Sequence, residues 1–184
     1  MFLPFFREII LHAREIRPYL LTVLAFFAAG ASVGFFRPML FPNSFSYLAE
    51  VADFLKNSTI PTIVIFLFMK NALASFLVLW TGILLGVFPL YAAAQNGYLL
   101  GAVLSLQENP LISVLNILPH GIFELPAFFL ACGIGLWRGF WLFRKNKEET
   151  YGERAKKGYF IFFHLVLPLL VIAAIIEGVR IGLA

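Results

Sequence analysis

With 184 residues, 61% of them hydrophobic and only 13% charged, this chain carries more apolar surface than a water-soluble domain of its size can bury. Its mean hydropathy is +0.89. The net charge of +4 lies in clusters beside apolar runs, which argues against nucleic acid and points to the lipid bilayer as the partner. Cys132 is the single cysteine, so no intrachain disulfide forms, and its apolar surroundings mark it as a packing residue. There is no zinc-type Cys/His spacing, no phosphate-binding glycine loop and no Gly-x-Ser-x-Gly elbow, so no cofactor is expected. Residues 1–184 read as a single integral-membrane domain.

Taken in order, the chain predicts an all-α polytopic membrane helix bundle of about five transmembrane helices. Residues 1–17 read as an amphipathic interfacial helix. Phe2, Phe5, Phe6, Ile9, Ala13 and Ile16 recur at helical spacing, and Arg7, Glu8, His12, Arg14 and Glu15 take the other side. The transmembrane bundle follows over residues 18–184, with Pro18 opening a first span, Tyr19 to Phe36. Arg37 to Thr59 is a polar excursion broken by Pro38, Pro42, Asn43 and Ser44, with a short interfacial helix over Phe45 to Leu55. The second span runs from about Pro61 to Val87 and is long enough to tilt or protrude. Phe88 to Leu106 is the third, and Gln107 to Pro110 a turn. Leu111 to Leu118 is too short to cross and predicts a re-entrant segment or an interfacial turn. The fourth span covers Pro119 to Trp137, with Pro119 in its first turn, where a missing N–H goes unnoticed. Arg138 to Lys157 is strongly charged and solvent-exposed at its centre, and Glu148, Glu149 and Glu153 read as a solvated charged loop. A fifth span runs from Gly158 to about Ile181.

Basic residues set the expected orientation. With five spans, the N-terminal segment and the Arg138–Lys157 loop share a side and hold most of the lysines and arginines. A cell-membrane location is expected, with the N-terminus cytoplasmic and the C-terminus external. Glycines four apart recur at Gly30/Gly34, Gly82/Gly86, Gly97/Gly101, Gly135/Gly139 and Gly178/Gly182. They predict close helix contacts within the chain, with a homodimer through one of the pairs as the alternative.

The spans also carry groups that are costly in lipid. His120 and Glu124 are four apart and therefore share a helix face. A rise of about 1.5 Å per residue sets Lys70, His120, Glu124 and Glu177 at comparable depths, so they are expected to form one polar cluster. Asn71 can add a hydrogen bond, and Asn96 and Arg180 complete the candidate network. Three readings compete. The cluster is a structural ion and hydrogen-bond network, a site in a transport path that works by protonation of Glu124 or Glu177, or a metal site with His120 and Glu124 as two of its ligands. His164 lies too near the other membrane face to join and reads as a hydrogen-bonded helix histidine.

The run PHGIFELPAFFLACGIGLWRG, the upstream run KNALASFLVLWTGILLGVFPLYAAAQNGYLLGAVLSL and the later AAIIEGVRIG resemble the stage II sporulation protein M family. The resemblance covers Lys70 to the C-terminus and sets the glutamate of the family's final helix at Glu177. It implies a polytopic membrane protein. In spore-forming bacteria such proteins support septal-wall remodelling and engulfment as membrane partners of a wall-degrading complex. The resemblance therefore favours a non-enzymatic scaffold that recruits other membrane proteins. A transporter or channel-like protein is the alternative, and an intramembrane metalloenzyme the third reading.

Overall fold

A computed structural model of the chain describes the backbone of residues 2–41, 43–143 and 149–183. The side chains of residues 2–14, 43, 44, 47, 48, 113, 116, 117 and 120 lie outside the described set. The fold is all-α. Among the described residues seven α-helices follow one another: α1 (Phe2–Phe36), α2 (Asn43–Lys56), α3 (Ile60–Thr81), α4 (Val87–Ser105), α5 (Pro110–Gly139), α6 (Tyr151–Ile161) and α7 (Leu167–Leu183). One π-helical turn, Phe162–Val166, joins α6 to α7. Among the described residues five segments are long and apolar enough to cross a bilayer: Glu15–Phe36, Ile60–Thr81, Val87–Ser105, Gly121–Phe143 and Tyr151–Leu183.

Several expected boundaries are corrected. The separate amphipathic helix over residues 1–17 does not appear. The helix runs through Pro18, which lies inside α1, because a proline removes one backbone hydrogen bond without forcing a stop. The re-entrant segment over Leu111–Leu118 is absent too, and Pro119 lies inside α5 rather than at its start. Asn109 supplies the reason. Its side chain accepts from the Ile112 N–H at 3.2 Å, and Pro110 occupies the first turn, so helix starts there. The second span ends at Thr81 rather than Val87. A turn follows in which Leu85 and Gly86 both have positive φ, 57° and 71°.

Small residues explain how the helices touch. A Cβ added at Gly30 or Gly34 of α1 would overlap the carbonyl of Ala94 or Tyr98 on α4. A Cβ at Gly97 or Gly101 would overlap the carbonyl of Phe27 or Ala31. The residue order rises together on both helices, so α1 and α4 are parallel and in backbone contact. The same closeness joins α3 to α5, where Gly82 meets Gly135 and Gly139 meets Gly82. In lipid, apolar side chains gain little from meeting one another, so this approach supplies the packing.

Helix α5 is the central element. Every residue from Ala131 to Gly139 is buried, as expected of a helix with neighbours on all sides. Two apolar clusters surround it. One joins Ile16, Leu79, Ala127, Ala131, Ile134, Trp137, Ile161, Phe162, Val166 and Leu170. The other joins Val23, Val78, Ala93, Cys132 and Leu136. Both lie toward the end that carries the connection from α5 to α6, hereafter the basic end; the opposite end carries α2.

The centre of the segment expected to be solvent-exposed, residues 144–148, lies outside the described residues, but two arginines on its flanks are buried. Arg138 and Arg154 are 3% and 2% exposed. Arg138 donates to the Leu79 carbonyl at 3.2 Å and to the Tyr151 hydroxyl at 2.9 Å. Arg154 donates to the Trp137 carbonyl at 2.9 Å and lies 4.6 Å over the Trp137 ring. The guanidinium groups satisfy the carbonyls at the ends of α3 and α5, and their charge is spread onto aromatic faces. Glu149 pairs with Lys157 at 2.6 Å, and Glu153 closes a capping box with Thr150. Glu148 lies outside the described residues.

Candidate functional site

The polar groups of the spans meet above the apolar core, toward the α2 end. A cavity of about 120 Å³ is lined by Lys70 and Asn71 of α3, Glu124 of α5, and Ala173, Ala174 and Glu177 of α7, with Leu67 at its side. A smaller one of about 60 Å³ adjoins it and shares Asn71 and Glu124. Its further walls are Ala74 and Ser75 of α3, Asn96 of α4, Leu125 and Phe128 of α5, and Leu170 of α7. Four helices thus cross at one level, and the proline inside α5 at Pro126 falls at the same place.

Local sequence sets these positions. Lys70 is at the middle of α3, about 15 Å from either end at 1.5 Å per residue. It is exposed at the cavity mouth and makes no ion pair among the described residues. Glu177 is held by Arg180 one turn later. The guanidinium donates from Nε to Oε2 at 2.8 Å and from Nη2 to Oε1 at 2.6 Å. This fork fixes the carboxylate and leaves it 15% exposed, while Arg180 is 46% exposed. Arg180 therefore belongs to the cluster through Glu177. Asn96 is exposed, and its amide N–H donates to the Ala92 carbonyl at 2.9 Å. Glu124 is half-buried between the two cavities.

The side chain of His120 lies outside the described residues, and with it the expected His120–Glu124 pair. Among the described residues, no three His, Cys, Asp or Glu side chains come close enough to hold a metal ion. His164 is separate from the site: its Nδ1 lies 2.8 Å from the Phe160 carbonyl oxygen, four residues earlier.

Charge at this site is balanced, with Lys70 and Arg180 against Glu124 and Glu177. A balanced cluster can stay ionised at depth in a bilayer. Open volume beside it admits a few water molecules at about 30 Å³ each. Toward the basic end the cavity stops. Phe128 and Leu170 form its floor, and the next turns, Ala131, Val166 and Leu79, are fully buried.

Sequence reasoning missed the arginine clasp at the basic end. A signal was present: Trp137, Trp141, Tyr151 and Tyr159 are interleaved with Arg138 and Arg154, and a planar cation among aromatic rings is often buried on them.

Comparison with known proteins agrees with this arrangement. A similar sequence, an uncharacterised protein of Methanocaldococcus jannaschii, is 31% identical over 100 residues, which is 52% of this chain and 46% of the relative. The chain thus spans less than half the length of that relative. No solved structure matches. The family model for stage II sporulation protein M matches residues 22–179, from the first span to the last. With that match over most of its length, and five described segments long and apolar enough to cross a membrane, the chain belongs to the stage II sporulation protein M family.

Proposed function

We propose that this chain is a non-enzymatic membrane scaffold that recruits another membrane protein through the α2 end of α5. The observation that carries this reading is a run of exposed apolar side chains that no described residue covers. Leu111, Ile112, Leu115 and Leu118 are 70%, 54%, 57% and 47% exposed. They sit on the first turns of a 30-residue helix, which is about 45 Å long against a hydrocarbon layer of about 30 Å. With Gly139 at the basic interface, these turns reach the far edge of the bilayer or beyond it. An apolar patch at that level needs a protein cover. The blind floor of the polar cavity favours this reading over conduction. The basic end is assigned to the cytoplasm by the excess of arginine and lysine in residues 138–157.

The test is site-specific photocrosslinking in cells. A photoreactive residue at Leu115 should form protein adducts, whereas one at Ile65, 62% exposed in the middle of α3, should form lipid adducts alone. Lipid adducts alone at both positions would overturn the scaffold reading. An adduct at Leu115 of twice the chain's mass would identify the partner as a second copy.

A further inference from the structure

Several polar side chains around the two cavities have no partner in the protein. Among the described residues, Lys70 forms no ion pair, and the side chains of Asn71 and Ser75 form no hydrogen bond. Asn96 donates its amide N–H to the Ala92 carbonyl, while its own carbonyl oxygen accepts nothing among the described residues. Ser75 is 2% exposed, and Asn96 is the tenth of the 19 residues of α4, so both lie where bulk water does not reach. A polar group at that depth needs a hydrogen-bond partner. Asn71 and Glu124 line both cavities and join them into one chamber.

Charge and size decide what can fill the chamber. Arg180 holds Glu177 in a two-bond fork, which leaves Lys70 and Glu124 as the other charges on the walls. The four sum to zero, so an added anion or cation would leave a net charge at depth, which is costly. Water alone gives the Lys70 ammonium no charge-assisted partner. A molecule with one charge of each sign meets both conditions. Its carboxylate can accept from Lys70 and from the Asn71 amide, and its ammonium can donate to Ser75 and Asn96 in the field of Glu124. The cavities hold about 120 and 60 Å³, room for about six water-sized groups at about 30 Å³ each. Lys70 and Ser75 are five residues apart on α3, about 7.5 Å along its axis, so the two poles must be close together. Ala173 and Ala174 form one wall and are each 2% exposed; larger side chains there would fill the space.

We infer that this chamber binds a small zwitterion of the α-amino acid type, no larger than glycine or alanine, with its carboxylate on Lys70 and Asn71 and its ammonium on Ser75 and Asn96. The mouth lies at Lys70, which is exposed, and Phe128 and Leu170 close the floor, so the molecule is held rather than passed on. The site is apart from the apolar patch at Leu115 and stands independently of the scaffold reading.

The probes are tritiated glycine and tritiated L-alanine, tested on the purified chain in detergent by scintillation proximity. At least one of them should bind. L-Phenylalanine, acetate and methylammonium should each compete about tenfold more weakly or worse, the first because it is too large and the other two because each carries a single pole. Lys70→Met should weaken binding about 10- to 100-fold, and Ser75→Val, which removes the hydroxyl with little change of shape, about 3- to 10-fold. Each variant's fold is checked by the protection of Cys132, which is buried. If a variant fails that check, the competition series on the unaltered chain decides by itself. No binding of either probe at about 10 mM overturns the inference, as does equal competition by any of the three other compounds. Binding that survives Lys70→Met in a folded protein overturns it too, because the ligand then lies elsewhere. Protein adducts at Leu115 are read separately and bear only on the scaffold.

Discussion

Replacing Gly97 by alanine or leucine tests the packing argument at its tightest point. A Cβ at Gly97 would overlap the carbonyl oxygen of Phe27 and come within 3.0 Å of the Ala31 nitrogen. Both opposing atoms belong to the backbone of α1, so neither can rotate away as a side-chain tip would. The two helices must separate by about an ångström or more before a normal contact of 3.5–4.0 Å is reached. Separation also loosens the neighbouring approaches at Gly30, Gly34 and Gly101, because all four glycines lie in one interface. Overpacking costs about 1–3 kcal/mol, with leucine at the upper end. By the scaling for chains of 150–250 residues, that is a fall in Tm of about 2–12 °C. The chain carries its own reporter. Cys132 is its single cysteine and is buried, so a thiol-reactive fluorophore signals unfolding in detergent. Leu99→Ala serves as the comparison, since Leu99 is half-buried and meets no such constraint. The expected order of stability is wild type, then Leu99→Ala, Gly97→Ala and Gly97→Leu. A Gly97→Leu protein that melts with wild type, or above Leu99→Ala, would refute the close approach.

Other perturbations test other parts. Arg154→Ala should cost about 2–4 kcal/mol, because the Trp137 carbonyl loses a charged donor and the indole loses its cover. Arg154→Lys should recover little of this, since an ammonium cannot both stack and reach; full recovery in the same thiol assay would contradict the clasp. At the polar cavity, Glu124→Gln should lower Tm by less than Glu124→Leu, because the amide keeps the shape and acceptor while leucine leaves polar neighbours unmatched. A leucine variant as stable as the glutamine one would mean that the carboxylate is not needed by the fold. For orientation, labelling from outside intact cells in a Cys132→Ala background should mark Ala184→Cys and spare Asn146→Cys. The reverse pattern would invert the assignment.

The sequence by itself determined the all-α membrane class, five apolar spans and a shared level for Lys70, Glu124 and Glu177. Hydropathy reports what a helix can be immersed in, and a constant rise per residue converts sequence position into depth, so Lys70, Glu124 and Glu177 could be set at comparable levels from their numbers alone. The glycine spacing was legible for a similar reason, since residues four apart share a face. Helix ends were less so. Pro18 and Pro119 read as starts, yet both lie inside helices, because a proline's cost depends on whether the surrounding packing outweighs one lost hydrogen bond. Only the tertiary structure decided which faces meet. It turned Asn71, Asn96, Glu124 and Glu177 toward shared cavities and paired α1 with α4 through backbone contact. It also buried Arg138 and Arg154 in a segment whose composition reads as solvated. Charge alone cannot report that burial, because it depends on carbonyls and aromatic rings brought from other helices, and those partners are assembled only when the chain is packed.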